Sequence, residues 1–370
     1  MKKSIPFYEY PRAYTDDKKE VLEIIDNVAS RGAFIMQKEL TDFESNISKF
    51  TGAKHCLGVA NATDALEIAW SMVGLKKGDE VIISAHTMLA TASAIKVSGG
   101  EPIPVDISPD GLIDPVSIEN AITDRTVAIC PTQLNGRTCK MDIIQEIAKK
   151  HGLLIIEDAA QGLGSTYKGK SAGTFGFAAC ISFYPAKILG SLGDGGLLIT
   201  DSVDDFDTAK RLRDHGRDEI TGDVKEWGRN SRLDNIQAAV LDFRLSKYDE
   251  VIRRRREVAS IYDQYLSNIN ELILPPPPDN GDHFDVYQNY EMQAENRDDL
   301  KQFLNEHGIG TLVQWGGMAI HHFKQLGFQQ NLPNADSFFE KCIMLPMNNF
   351  ISNDDVHYII EVIVKFYSRK

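Results

Sequence analysis

The sequence predicts an α/β protein with a mostly parallel sheet in a large domain, followed by a smaller C-terminal α+β domain. Three observations carry that expectation. Short apolar strands alternate with helical segments from about residue 55 to residue 160. Long helical periodicity replaces the alternation near residue 232. Pro275 to Pro278 then stop any regular structure. The expected division is 1–245 and 246–370, placed where the helical pattern changes. A chain of 370 residues is long enough for a full core and two domains.

The elements follow in order. An extended arm leads into the helical stretch KKEVLEIIDNVAS (18–30), then into KELTDFESNISKFTG (38–52). GVAN (58–61) reads as a strand entering the helix TDALEIAWSMVG, and DEVIIS (79–84) as a strand entering TMLATASAIKVSG. EPIPVDI, TVAICPT and GLLIIED are further strands. MDIIQEIAKKHG (141–152) is a helix whose glycine stands where a C-cap belongs. Residues 232–269 carry a long helical period with room for a bend. VYQNYEMQA (286–294) alternates like a strand, RDDLKQFLNEHGIG is a capped helix, and DDVHYIIEVIVKFY a closing helix.

Composition narrows the function. Apolar residues make up 42% and charged residues 25%, an ordinary balance for a soluble globular protein. Lys and Arg number 40 against 53 Asp and Glu, a net charge of -13. Such a chain lacks the cationic field that draws nucleic acid or anionic membranes. The basic run Arg253 to Arg256 is expected to be a solvated helix face. MKKSIPFYEYPRAY has no apolar stretch behind its lysines and does not read as a secretory signal. No run approaches the roughly 20 apolar residues of a membrane helix. Cys56, Cys130, Cys139, Cys180 and Cys342 form no CxxC pair, which points to reduced thiols and a cytoplasmic location. No cysteine–histidine cluster has zinc spacing, so no metal is expected.

Gly164 to Ser171 fits GxxxxGK[ST] letter for letter. A phosphate loop must run from a strand straight into a helix. Here the strand ends near Glu157, and AGTFGFAA follows without a helical period. A hairpin or exposed turn accounts for the stretch better than ATP binding does.

The chemistry gathers around SFYPAKILGSLGDGGLLIT (182–200). It sets one lysine, Lys187, in an apolar stretch before a glycine-rich turn. Asp158 ends a buried strand, where open α/β sheets bind ligands. Asn61-Ala62-Thr63-Asp64 opens a helix, a ready anion site. Pyridoxal 5′-phosphate (PLP) needs these groups: an amine for its aldehyde, a carboxylate for its ring nitrogen, amides and hydroxyls for its phosphate. An apolar setting disfavours a charged lysine and frees its amine. Taken singly, Lys187 could reach solvent from a strand edge, Asp158 could cap a helix, and Ser182 could be a core hydroxyl.

Residues GVANATDAL, GDEVIISAHTMLATASAI, VDISPDGLIDPVSIENAIT, IIEDAAQGLGSTYKGKSAGTFG, ISFYPAKILGSLGDGGLLIT and GRNSRLDNIQAA together resemble the DegT/DnrJ/EryC1/StrS sugar aminotransferases. The resemblance runs in order over roughly residues 30–265. It implies a fold-type-I PLP enzyme with a mixed sheet, and a homodimer with shared active sites. The implied reaction moves an amino group from glutamate to a keto- or aldehydo-sugar, the cofactor passing through its amino form. By position, Lys187 resembles the Schiff-base lysine and proton shuttle, and Asp158 the partner of the pyridine nitrogen. Gln161 matches the residue near the ring hydroxyl, and Ser182 a phosphate hydroxyl. Ala62 and Thr63 match the phosphate-binding helix start, and Asn230 the asparagine that reaches a phosphate across the dimer. His86 stands where a ring stacks on the cofactor, or it is a core histidine.

Two departures stand out. The usual GEGG is here Gly193-Asp194-Gly195-Gly196, and the histidine-proline-leucine-histidine type segment is replaced by residues Gln314 to His322. The sugar wall is therefore expected to differ. One branch aminates an octulosonate sugar acid for lipopolysaccharide, and a carboxylate would want cationic partners. Arg217, His321 and His322 are the candidates, and Trp315 could stack on a sugar or fill the core. A sugar dehydratase or epimerase is an alternative, but that branch replaces the lysine with histidine. A non-catalytic regulatory member is another, and none of the cofactor groups is lost.

Overall fold

The computed structural model describes residues 3–279 and 281–369. A seven-stranded sheet forms its centre. The spatial order is His55–Val59, Gly196–Thr200, Ala178–Ser182, Leu154–Asp158, Thr126–Cys130, Glu80–Ser84 and Glu101–Val105. Gly196–Thr200 runs antiparallel to both its neighbours, and the other strands run one way. The strands Glu80–Ser84 and Gly196–Thr200 are buried throughout, which is why they read as unbroken apolar runs. Helices cover both faces. Ala62–Met72 buries Ala65, Leu66, Ile68, Ala69 and Trp70 against one of them. Lys38–Thr51 buries Leu40, Phe43 and Ile47 against the other.

Most sequence boundaries fall where capping chemistry puts them. Gly52 and Gly152 end their helices in the left-handed conformation. Asn61 and Ser202 accept a backbone N–H three residues on. The long helical period is two helices, Asn235–Leu245 and Tyr248–Leu266, separated at Ser246 and Lys247. The letters of the phosphate loop form a hairpin, with Thr166–Tyr167 pairing Lys170–Ser171 across Lys168 and Gly169. Both turn residues have positive φ, as a two-residue hairpin turn requires.

A second core lies beyond the long helix. A three-stranded sheet, Leu272–Ile273, Tyr290–Ala294 and Cys342–Leu345, packs with Tyr248–Leu266 and Asn353–Tyr367. The basic run does not form the expected solvated face. Arg255 turns inward and donates to the Tyr287 and Gln288 carbonyls and to Asn349 Oδ1, and Arg256 donates to the Asp285 carbonyl. These two arginines tie the helix to the segment that enters the small sheet. Burial pulls the Arg255 guanidinium down to about 10. Helical periodicity was too coarse to show which of four consecutive arginines faces inward.

One glycine joins sheet to helix. A Cβ on Gly196 would sit 2.3 Å from the carbonyl carbon of Asn61 and 2.6 Å from the Ala62 nitrogen. Only glycine lets that strand begin against the start of the Ala62–Met72 helix. Gly196→Ala is expected to cost ~1–3 kcal/mol through forced backbone movement. Thermal unfolding should show a lowered midpoint; an unchanged one would mean the helix start yields freely.

Candidate active site

Asp158, Gln161, Ser182, Lys187, Ala62, Thr63 and Trp315 line one cavity of ≈ 380 Å³. That volume falls within the roughly 300–1,000 Å³ usual for small-molecule sites. Six of these residues reach it from the carboxyl ends of parallel strands or from the loops that follow them. Trp315 enters from a turn in which it holds a positive φ of 44°.

Lys187 follows the strand Ala178–Ser182 in a turn closed by its own N–H on the Tyr184 carbonyl at 2.8 Å. Packing around the side chain disfavours the ammonium and pulls it from 10.5 to about 8, against the upward pull of Asp158 and Cys180. The neutral amine is thus far more accessible near physiological pH than for an exposed lysine.

Asp158 is buried at the end of its strand. Thr91 Oγ1 donates to its Oδ2 at 2.6 Å, and the Ala160 N–H donates to its Oδ1 at 3.1 Å. Behind Thr91 the hydroxyls form a directed row. Thr132 donates to Thr87 at 2.7 Å, and Thr87 meets Thr91 at 2.7 Å. With Thr91's proton committed to Asp158, each hydroxyl donates toward the carboxylate. The row fixes the carboxylate's orientation at the strand end.

At the other end, Asn61 Oδ1 accepts the Asp64 N–H at 2.8 Å. The first turn keeps its remaining N–H groups for a ligand, at the positive end of the helix dipole. Ser182 stands beside it in the cavity wall. Gln161 is oriented from behind, because the Asn135 N–H donates to its Oε1 at 3.0 Å. Its Nε2 donors are left for the cavity. A cation-holding carboxylate, a lysine amine, amide donors and a helix N-terminus in one cavity fit PLP. Bound there, PLP supplies an aldehyde that captures amines and an electron-poor ring that accepts carbanion electrons.

Several expected residues lie elsewhere. His86 does not face the cavity. It is buried behind the wall, its Nδ1 3.0 Å from the Gly111 carbonyl and its ring against Phe338, Phe339 and Trp315. Met88, two residues on, lines the cavity instead. The chain turns after the strand ending at Ser84, so His86 takes the alternative of a core histidine and Met88 takes the cavity wall. Arg217 and Asn230 are exposed on the 214–230 excursion. His321 and His322 both lie against Asp336 Oδ1, at 2.8 and 2.6 Å, away from the cavity. That trio has the spacing of metal ligands. However, the Ala319 N–H donates to His322 Nδ1, so His322 carries its proton on Nε2 and donates it to Asp336. Hydrogen bonding accounts for the cluster. Sequence reasoning missed Thr91, Thr132, Leu66, Met88, Leu134 and Tyr184. Met88 and Thr91 stand inside one of the diagnostic stretches, and only the fold shows that they turn toward Asp158.

A lysine and an acid facing each other at the strand ends of such a sheet define a PLP-dependent enzyme of fold type I. The chain belongs to the DegT/DnrJ/EryC1/StrS aminotransferase family, which it matches over residues 15–364. It is 36% identical over 371 residues to a pleiotropic regulatory protein of Geobacillus stearothermophilus, covering 98% of this chain and 99% of that one. It is 36% identical over 336 residues to the UDP-2-acetamido-2-deoxy-3-oxo-D-glucuronate aminotransferase of Pseudomonas aeruginosa, covering 90% and 92%. The crystal structure of DesV from S. venezuelae superposes with a TM-score of 0.94 at 33% identity, covering 99% of each chain. NtdA from Bacillus subtilis, solved with bound cofactor PMP, gives a TM-score of 0.91 at 27% identity, covering 99% of this chain and 85% of that one.

The depressed lysine sets a pH dependence. In the cofactor-free protein Lys187 loses its proton near pH 8, whereas the unfolded chain keeps it to about 10.5. Between those values the unfolded state binds more protons, so this group makes stability rise with pH. Reductive methylation of Lys187, followed by peptide mass spectrometry, should show a rate midpoint near pH 8. A midpoint near 10.5 would contradict the burial argument.

Proposed function

We propose that the protein is a PLP-dependent aminotransferase that passes an amino group from L-glutamate to a keto- or aldehydo-sugar carried on a nucleotide. The observation that carries this is the shared cavity of Lys187 and Asp158, with the helix start at Ala62 and Thr63 at its far end. In this reading Lys187 Nζ holds the cofactor's aldehyde carbon. Once displaced by substrate, the same amine takes a proton from one carbon and returns it to another. Asp158, oriented by the Thr91 row, keeps the ring nitrogen protonated. Ala62, Thr63 and Ser182 hold the phosphate, and Gln161 Nε2 donates to the ring oxygen.

The acceptor is read from the wall and the relatives. Met88, Leu134 and Trp315 give an apolar face suited to the flat side of a sugar. His321 and His322 do not line the cavity, which weakens the case for a free octulosonate acid, and Arg217 lies on the excursion that carries Asn230. The Pseudomonas relative's name specifies a nucleotide-linked 3-oxo sugar. Surface polysaccharide or lipopolysaccharide synthesis is the setting we assign.

The active assembly is a homodimer in the cytoplasm. Trp227 is 99% exposed and Ile220 96% exposed, both on the excursion that carries Asn230. Large apolar side chains held out in this way support a partner surface. Asn230 then reaches the phosphate of the neighbouring site. Among the described residues no helix is long and apolar enough to cross a membrane. The division at residue 245 separates a cofactor domain from the small sheet that closes over it.

Purified protein is expected to bind PLP with a visible absorption band that falls on addition of L-glutamate and returns with a keto-sugar nucleotide. Lys187→Ala should reduce turnover by at least about a thousandfold, the scale of losing a nucleophile and its proton transfer together. PLP should still bind that variant through its phosphate. Protein that stays colourless with added PLP would overturn the reading, and would favour a regulatory role like that named for the Geobacillus relative.

A further inference from the structure

His86 and Glu291 meet behind the cavity wall, each fully buried, with Nε2 3.3 Å from Oε2. His86 Nε2 makes no hydrogen bond beyond this 3.3 Å approach, and the only other side chains that engage the Glu291 carboxylate are Asn135 and the Cys342 thiol, among the described residues. On the opposite side of the ring, Nδ1 lies 3.0 Å from the Gly111 carbonyl oxygen. A carbonyl only accepts, so Nδ1 carries a proton. A neutral imidazole has one N–H, which would leave Nε2 as a bare lone pair aimed at a carboxylate. Two acceptors buried face to face repel and leave both unsatisfied. A second proton on the ring resolves this. Asn135 Nδ2 donates to Glu291 Oε2 at 2.6 Å, so that oxygen already serves as an acceptor where it faces the ring.

We infer that His86 and Glu291 form a buried imidazolium–carboxylate pair that positions Asn135, and through Asn135 the amide of Gln161. This rests on the reading of Gln161 as a cofactor contact. Asn135 is the hub. Its Oδ1 accepts from Asn289 Nδ2 at 2.8 Å and from Gln314 Nε2 at 3.2 Å. Its backbone holds a positive φ of 54°, and its N–H takes the Gln161 oxygen. Glu291 comes from the central strand of the small sheet, Tyr290–Ala294, and His86 from the large sheet's edge loop. The seating of one sheet on the other is therefore transmitted to the group facing the cofactor ring. His86 and Glu291 are positioning residues and touch no substrate.

The test uses three variants of the full chain. Glu291→Ala removes the hold on Asn135. It is expected to weaken PLP binding about tenfold, the scale of one buried hydrogen-bond partner lost, and to move the bound cofactor's visible band. Glu291→Gln should keep the wild-type band, because its carbonyl oxygen still accepts from Asn135, while the loss of the carboxylate charge removes what holds the second proton on His86. Should Glu291→Ala not fold, Asn135→Gly keeps the left-handed turn, cuts the same link, and should move the band likewise. Nitrogen-15 spectra of the cofactor-free protein at neutral pH count protons on the His86 ring: two in the wild type, one in Glu291→Gln. A band and PLP affinity unchanged in Glu291→Ala or Asn135→Gly would reduce the pair to a structural contact and overturn the proposal. So would a singly protonated ring in the wild type. If the wild type takes up no PLP, the cofactor reading falls, and the ring proton count still decides the pair.

Discussion

A carboxylate that must remain an anion while buried is the constraint around which this protein is arranged. Asp158 ends a strand flanked on both sides by other parallel strands, so water does not reach most of it. An unpaired buried charge costs several kcal/mol. Part of that cost is met by the Thr132–Thr87–Thr91 row, which delivers a proton-donating hydroxyl at 2.6 Å. Lys187 is the complementary case: the same packing that makes Asp158 expensive makes the lysine willing to lose its proton.

The two groups meet because Leu154–Asp158 and Ala178–Ser182 are parallel neighbours, and the sheet's one antiparallel strand brings the helix start to them. Gly196–Thr200 enters antiparallel, so its beginning lies beside the ends of its neighbours and beside the Ala62–Met72 helix start. Gly196 allows that approach, and the two elements meet at Asn61 and Ala62. Phosphate donors, lysine turn and carboxylate are thereby placed around one space. The small sheet reaches that space through Asn289, Glu291 and Gln314, which converge on Asn135.

The sequence made the sheet legible because its strands are short, apolar and separated by capped helices. Glycines at 52 and 152 marked ends that a left-handed cap enforces. Lys187 and Asp158 were legible from their setting and from the family stretches around them. What escaped reading was direction. Nothing in SAHTMLATASAI says that His86 turns into the core while Met88 turns to the cavity, since that depends on the carbonyl of Gly111, twenty-five residues away. The inward turn of Arg255 likewise depends on carbonyls of residues 287 and 288. The Thr91 row joins three segments that only the parallel sheet brings together. Linear patterns report which residues are apolar; they do not report which backbone groups are waiting for a partner.

The regulatory name borne by one close relative raises the question of whether this fold has here become a binding module. The energetics argue otherwise. A binding module has no use for a lysine pulled to about 8, nor for a buried carboxylate oriented by three hydroxyls in a row. Each of these is a local cost that apolar substitution would relieve. A leucine or methionine at position 187 would fill a similar volume without burying an amine. A perturbed lysine beside a buried carboxylate in one cavity is the arrangement expected of a site that performs chemistry. The relative's regulatory name is therefore compatible with an enzyme, and requires no separate binding face on this chain.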